Sequence, residues 1–229
     1  FGEQIFEMFF LVLFLIVFAV TIGGLLAGTS PQSIAAAGRH AWSVCLARDS
    51  APEDVIEPLV RSVRLDVGRH VVDGFRCGEA EIDAWLVRHA VIAERMRTAA
   101  TYVWVAAGQV VGYYAIAPHA VSRDHLPTRV ARNSPAMVPA YLIGKLGLTR
   151  DWQGRGRGTA LLLDACARLA AVLASTPARI IVVDALNDAA RGFYELHGFR
   201  RLGEQPSTLF MTSADLIATL EGFSREELD

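Results

Sequence analysis

The chain has 229 residues, 52% of them hydrophobic, with a formal net charge of −2. That length supports one globular domain with an appendage, and the near-neutral balance excludes a wholly basic nucleic-acid coat or an acidic disordered chain. Three cysteines (Cys45, Cys77, Cys166) and six histidines show neither a disulfide framework nor a metal-ligand spacing, so no metal is expected and a reducing cytosol suits the chain.

The first element is apolar. Residues 9–27 (FFLVLFLIVFAVTIGGLLA) carry no charge and are long enough to span a bilayer. The leading Glu3 and Glu7 fit a cleaved signal peptide poorly, and Arg39, Arg48, Arg61 and Arg64 after the run would place the following domain in the cytoplasm. The chain opens on Phe1, so a second reading stands beside the first: this segment belongs to a fragment, a fusion or a misassigned start. The resulting division is a hydrophobic segment over 1–30, a proline-bearing linker over 31–62, one mixed α/β domain over 63–214 and an acidic tail over 215–229.

Within the domain, Val63–Phe75 reads as a first strand and its exit, and Gly78–Thr98 has the apolar spacing of a helix (Ile82, Trp85, Leu86, Ala90, Ile92). Thr101–Ala107 and Val110–Ala117 flank Gly108-Gln109 as a hairpin, and His119–Pro135 is a polar, Arg-bearing excursion. Met137–Leu148 is a central strand, Thr159–Ser175 a helix, Ile180–Ala185 a buried strand, Asp188–His197 a helix, Thr208–Thr212 a last strand and Leu216–Leu220 a short helix. The order is mixed α/β with a partly antiparallel sheet.

Chemistry concentrates between the central strand and the helix after it, in Gln153-Gly154-Arg155-Gly156-Arg157-Gly158. Glycines at a strand-to-helix turn let backbone approach a ligand and leave N–H groups at a positive helix end, which suits a pyrophosphate. No Lys-Ser/Thr follows the last glycine, so the turn is not a Walker A loop. The Gln-x-x-Gly-x-Gly spacing resembles the acetyl-CoA loop of the GCN5-related N-acetyltransferases (GNAT). Residues 178–199, a strand, then Asn187, then Phe193-Tyr194, then His197-Gly198-Phe199, resemble that family's C-terminal half.

The resemblance implies the GNAT fold, with acetyl-CoA as acyl donor. Backbone groups of Leu146, Gly147 and Leu148 would bind the pantetheine arm where the central strand splays from its neighbour. The amides from Gln153 to Gly158 would hold the pyrophosphate, Asn187 would bond the arm, and Tyr194 would act as general acid.

Three further stretches narrow the likeness: Phe75-Arg76-Cys77-Gly78-Glu79 with Ile82-Asp83-x-Trp85-Leu86, Tyr113-Tyr114 after Gly112, and Arg132-Asn133-x-Pro135-x-x-Val138-Pro139. They resemble the acetyltransferase toxins of type II toxin–antitoxin pairs, over about Leu65 to Thr212. Such toxins acetylate the α-amine of aminoacyl-tRNA and block translation; they pair with ribbon–helix–helix antitoxins and are usually dimeric. Residues 1–60 have no counterpart in that pattern.

Two features of this sequence agree with the resemblance. Between Ala84 and Arg132 six arginines stand against two acids, and Arg88, Arg95, Arg97 and Arg132 are candidates for tRNA phosphate contacts. The central strand carries no acid, and Glu79, Glu81, Asp83 and Asp184 lie elsewhere, so no general base is evident. A lysine ε-amine, with pKa about 10.4, is only ~0.04% neutral at pH 7, whereas an α-amine near 7.7 is roughly 15–20% neutral and needs little help. Acetylation of a small amine or a protein N-terminus is the alternative reading. A CoA-binding module without turnover is another, which an intact Tyr194 and loop oppose.

Overall fold

The computed structural model describes residues 61–226. The apolar run 9–27, all but the last two residues of the expected linker, and residues 227–229 lie outside them. No helix among the described residues is long and apolar enough to cross a membrane.

Seven strands form one sheet in the order β1-β2-β3-β4-β5-β7-β6. They are β1 (Val63–Arg64), β2 (Ala100–Ala106), β3 (Gln109–Ser122), β4 (Met137–Leu148), β5 (Ile180–Asp184), β6 (Arg200–Leu202) and β7 (Gln205–Thr212). Among these seven strands only the β4–β5 pairing is parallel, so the sheet is two antiparallel arms joined at its centre. Helices α1 (Ala80–Arg88) and α2 (Ala90–Arg95) precede β2, and a one-turn helix α3 (Thr128–Ala131) precedes β4. Helix α4 (Arg157–Leu173) links β4 to β5, α5 (Asp188–Leu196) links β5 to β6, and α6 (Ser213–Glu226) follows β7. This is the mixed, partly antiparallel α/β fold that the element order implies.

Strand alternation divides the core between two faces. On one face Trp104, Tyr114, Ile116, Ile143, Leu148, Ile181 and Val183 meet Leu161, Leu162, Leu169, Tyr194 and Leu216 from α4, α5 and α6. Leu161, Leu162 and Leu169 are fully buried, and each such side chain contributes about 1.5–3 kcal/mol relative to exposure. On the other face α1 and α2 cover Val103, Val110 and Tyr113, while Leu126 and Val130 cover Val138, Ala140, Ile180 and Val182.

The neighbours Tyr113 and Tyr114 fasten one layer each. Tyr113 donates to the Ile82 carbonyl in α1 at 2.7 Å and stacks on Trp85. Tyr114 faces the other way, donates to Asp164 of α4 at 2.7 Å and receives a hydrogen bond from Arg168 at 3.0 Å. Ser62 enters the same group, bonded to Tyr114 and to the Asp164 carboxylate.

Several boundaries differ from the sequence reading. The first strand is two residues long, because an Asp66 turn, its carboxylate accepting from the Gly68 N–H at 2.9 Å, ends it before Phe75. The helix expected over Gly78–Thr98 breaks at His89 (φ −115°), where Ala90 turns fully into the core. Strand β3 runs on to Ser122, since Val121 is buried, and the excursion after it shortens to a 3-10 turn and α3. Strand β6 hides in a polar stretch of which Leu202 alone is buried. The final helix runs from Ser213 to Glu226, into the segment read as an acidic tail, held by buried Leu216 and by the Arg200–Asp215 pair at 3.0 Å.

Gly147 lies where α1 packs on β4. A methyl group there would sit 2.8 Å from Ile82 Cγ2 and 3.4 Å from the Phe75 ring. Gly147→Ala is therefore expected to lower unfolding free energy by about 1–3 kcal/mol in denaturant titrations, by pushing α1 off the sheet.

Candidate active site

Strands β4 and β5 pair from Ala140↔Ile180 to Ile143↔Val183 and no further. On its other edge β4 pairs with β3 throughout, but Gly144 is an extra residue: Ile116 faces Ile143 and Ala115 faces Lys145. Such a bulge bends a strand and raises its local twist. Beyond it, Lys145 to Leu148 lie against β3 alone, so Leu146, Gly147 and Leu148 border a wedge between the two central strands.

At the end of β4 the backbone enters the left-handed region at three successive residues, Gly154 (φ 76°), Arg155 (52°) and Gly156 (70°), and Gly156 caps α4. The amides of Gly154, Arg155, Gly156, Gly158 and Thr159 have no hydrogen-bond partner among the described residues. Two of the six amides expected to hold a pyrophosphate are spent inside the turn: Gln153 N–H donates to the Arg150 carbonyl at 3.1 Å and Arg157 N–H to that of Gly154 at 3.3 Å. The Gln153 side chain donates to the carbonyls of Cys77 at 2.6 Å and Leu148 at 2.9 Å, tying the turn to β4 and to the approach to α1. Thr159, whose amide joins the free set, was not singled out in the sequence, although the start of a helix always leaves such groups open. Arg155 is exposed, and the Arg157 guanidinium lies 4.7 Å over the Trp152 ring.

Tyr194 is in the last turns of α5, which end in a Schellman cap. Gly198 (φ 85°) donates to the Glu195 carbonyl at 3.1 Å, and Phe199 N–H to the Tyr194 carbonyl at 3.1 Å. The cap folds the Phe199 ring onto Tyr194, centroids 5.7 Å apart, with Phe193 on another side at 5.4 Å. The phenol is 6% exposed and makes no hydrogen bond among the described residues. Burial first, then the neighbouring Cys166 and Asp184, push its pKa well up, so it holds its proton at neutral pH.

His197 is structural. Its Nδ1 lies 2.6 Å from the Phe193 carbonyl and its Nε2 3.1 Å from Thr159 Oγ1, so the proton sits on Nδ1 and the ring joins α5 to the start of α4. Asn187 caps α5, its Oδ1 accepting from Ala190 N–H at 2.8 Å, while its Nδ2 donates to Glu79 at 2.9 Å. Lys145, the only charged residue of β4, pairs with Glu81, and Asp83 accepts from Cys77 N–H at 2.8 Å. Burial pushes the Cys77 thiol up to about 11.

Arg88, Arg95 and Arg97 belong to α1, α2 and the turn after them, and Arg132 ends α3. All four are exposed and without an ion pair among the described residues. The elements that carry them cover the two arms of one sheet face, opposite the face covered by α4.

The family model for the acetyltransferase (GNAT) domain matches residues 99–201. The tRNA-acetylating toxin of Mycobacterium tuberculosis (strain ATCC 25618 / H37Rv) is 36% identical over 149 residues, 65% of this chain and 90% of that protein. A probable toxin TacT of Sinorhizobium fredii (strain NBRC 101917 / NGR234) is 28% identical over 182 residues, 75% and 97% of the two chains. Among solved structures, AtaT complexed with acetyl-methionyl-tRNAfMet aligns with a TM-score of 0.64 at 25% identity, covering 69% of this chain and 98% of that one.

The buried His197 ring has its pKa lowered, chiefly by desolvation, from the usual 6.5. Below pH 6.5 the unfolded chain binds a proton that the folded chain refuses, so acid favours unfolding. Stability is expected to fall by up to about 1.4 kcal/mol per pH unit between 6.5 and the lower folded pKa. His197→Gln should flatten that stretch of the stability–pH curve, measured by denaturant midpoints from pH 5 to 7.5.

Proposed function

Since the chain belongs to the GNAT acetyltransferase family, we propose that it transfers an acetyl group from acetyl-CoA to the α-amine of aminoacyl-tRNA, acting as a toxin that blocks translation. The observation that carries the donor half is the wedge between β4 and β5 opening onto a turn with five unpartnered amides. Those donors, at the start of a 17-residue helix with Arg155 beside them, fit a pyrophosphate, and Leu146 to Leu148 fit the arm attached to it. Acetyl-CoA supplies the activated acyl group. The chain's own part is to orient it, exclude water and hold a proton at Tyr194 Oη for the departing thiolate.

The acceptor half rests on similarity and on charge. The relative at 36% identity is named a tRNA-acetylating toxin, and β4 offers no carboxylate to deprotonate a lysine-like amine. Lys145 is already neutralised by Glu81. An α-amine needs the least assistance. Arg88, Arg95, Arg97 and Arg132 supply the unpaired charge for phosphate contacts that are independent of sequence. The reading extends to a ribbon–helix–helix antitoxin as protein partner and to a homodimer, at work in the cytoplasm where charged tRNA is found.

The test combines radiolabelled acetyl-CoA with bulk aminoacylated tRNA, deacylated tRNA serving as control. Label is expected on charged tRNA only, and Tyr194→Phe should cut kcat by about 100-fold or more while leaving CoA affinity unchanged. Label on small amines or peptides but not on tRNA would overturn the acceptor assignment. If the four arginines meet phosphates, each Arg→Ala change should lower the slope of log K against log salt by about one, in filter-binding titrations.

A further inference from the structure

We propose that Glu79 is a positioning residue for the acyl donor, acting through Asn187; the inference rests on the acetyltransferase reading above. Asn187 has one carbonyl and two N–H donors to spend. The carbonyl oxygen caps α5 at Ala190 N–H, 2.8 Å away, and one N–H goes to Glu79 Oε1 at 2.9 Å. A single N–H is left. Toward a ligand in the wedge Asn187 therefore has that one N–H to donate, which an amide carbonyl of a pantetheine arm would match.

Glu79 decides where that N–H is held. Glu79 is the N-cap residue of α1, and α1 is fastened to the β4 wall of the wedge. Ile82 packs on Gly147, Tyr113 holds the Ile82 carbonyl at 2.7 Å, and Glu81 pairs with Lys145. Asn187 follows β5, the opposite wall. The Glu79–Asn187 hydrogen bond thus spans the two walls that part after Ile143 and Val183, and fixes both the distance between them and the rotation of the amide. Nothing in the Gly-rich turn performs this task, because Gln153 is committed to Cys77 and Leu148.

The contribution should appear in donor binding and not in the transfer step. With the full chain, Glu79→Ala is expected to raise the Kd for CoA by calorimetry, and the KM for acetyl-CoA, by about 3- to 10-fold, the loss of one hydrogen bond, with kcat within twofold. Glu79→Gln keeps an oxygen that accepts from Asn187 Nδ2 and should return both constants to within twofold of wild type. Asn187→Asp keeps the cap but loses both donors and should be at least as weak as Glu79→Ala. Glu79→Ala within twofold of wild type, a kcat loss at unchanged KM, or Glu79→Gln as weak as Glu79→Ala would each overturn the inference alone. A wild-type chain that does not bind CoA would overturn the acetyltransferase reading and this inference with it.

Discussion

Strand β4 pairs with β3 along its whole length but with β5 over only four residues. The extra residue Gly144 in the β3 ladder is where the two demands separate, and every feature of the site is arranged around that parting. Ahead of it β4 is an ordinary buried central strand; beyond it the backbone borders a gap. The gap survives because both of its walls are braced from outside: β4 by α1 and β3, β5 by β7 and α5. A sheet without such braces would close on itself and satisfy its own hydrogen bonds, since unpaired strand edges are costly to leave open.

The groups at the gap are held by elements with other duties. Tyr194 owes its surroundings to a helix stop, Gly198 and Phe199, whose hydrogen bonds end α5 and whose ring stacks beside the phenol. Gln153 owes its place to two carbonyls that would otherwise lack it. Thr159 and His197 join the starts and ends of α4 and α5 through one neutral imidazole. Rigidity of this kind suits catalysis, because a donor held in place before substrate arrives costs no reorganisation later.

Much of this was legible in the residues. The strand Met137–Leu148 was readable to the residue, because its apolar run ends at a polar turn and begins after proline and asparagine. The turn Gln153–Gly158 was legible as a glycine-rich entry to a helix, but not which amides stay free, since that depends on φ angles at Gly154 to Gly156 that composition does not specify. Gln153 could not be recognised as a brace, because its partners Cys77 and Leu148 are brought near only by tertiary folding. The break at His89 and strand β6 were missed for the same reason: Ala90 and Leu202 are ordinary residues until a buried neighbour claims them. Glu79 looked like one acid of three on a helix, and only the meeting with Asn187 distinguishes it.

The adjacent tyrosines in β3 carry a consequence for folding. Tyr113 and Tyr114 must point to opposite sides of the strand, and each hydroxyl has a partner of a different kind: a backbone carbonyl in α1 for the first, a carboxylate and a guanidinium in α4 for the second. A slip of the β2–β3 hairpin by one residue would exchange the two sides. Slipped one way, Ala115 would stand opposite Asp164; slipped the other way, Gly112 would stand opposite the Ile82 carbonyl, so either slip leaves one of the two acceptors without its phenol. The pair therefore acts as a gauge of alignment: only one of the near-equal pairings of two apolar strands satisfies both hydroxyls, and mispaired chains are marked by an error too costly to keep.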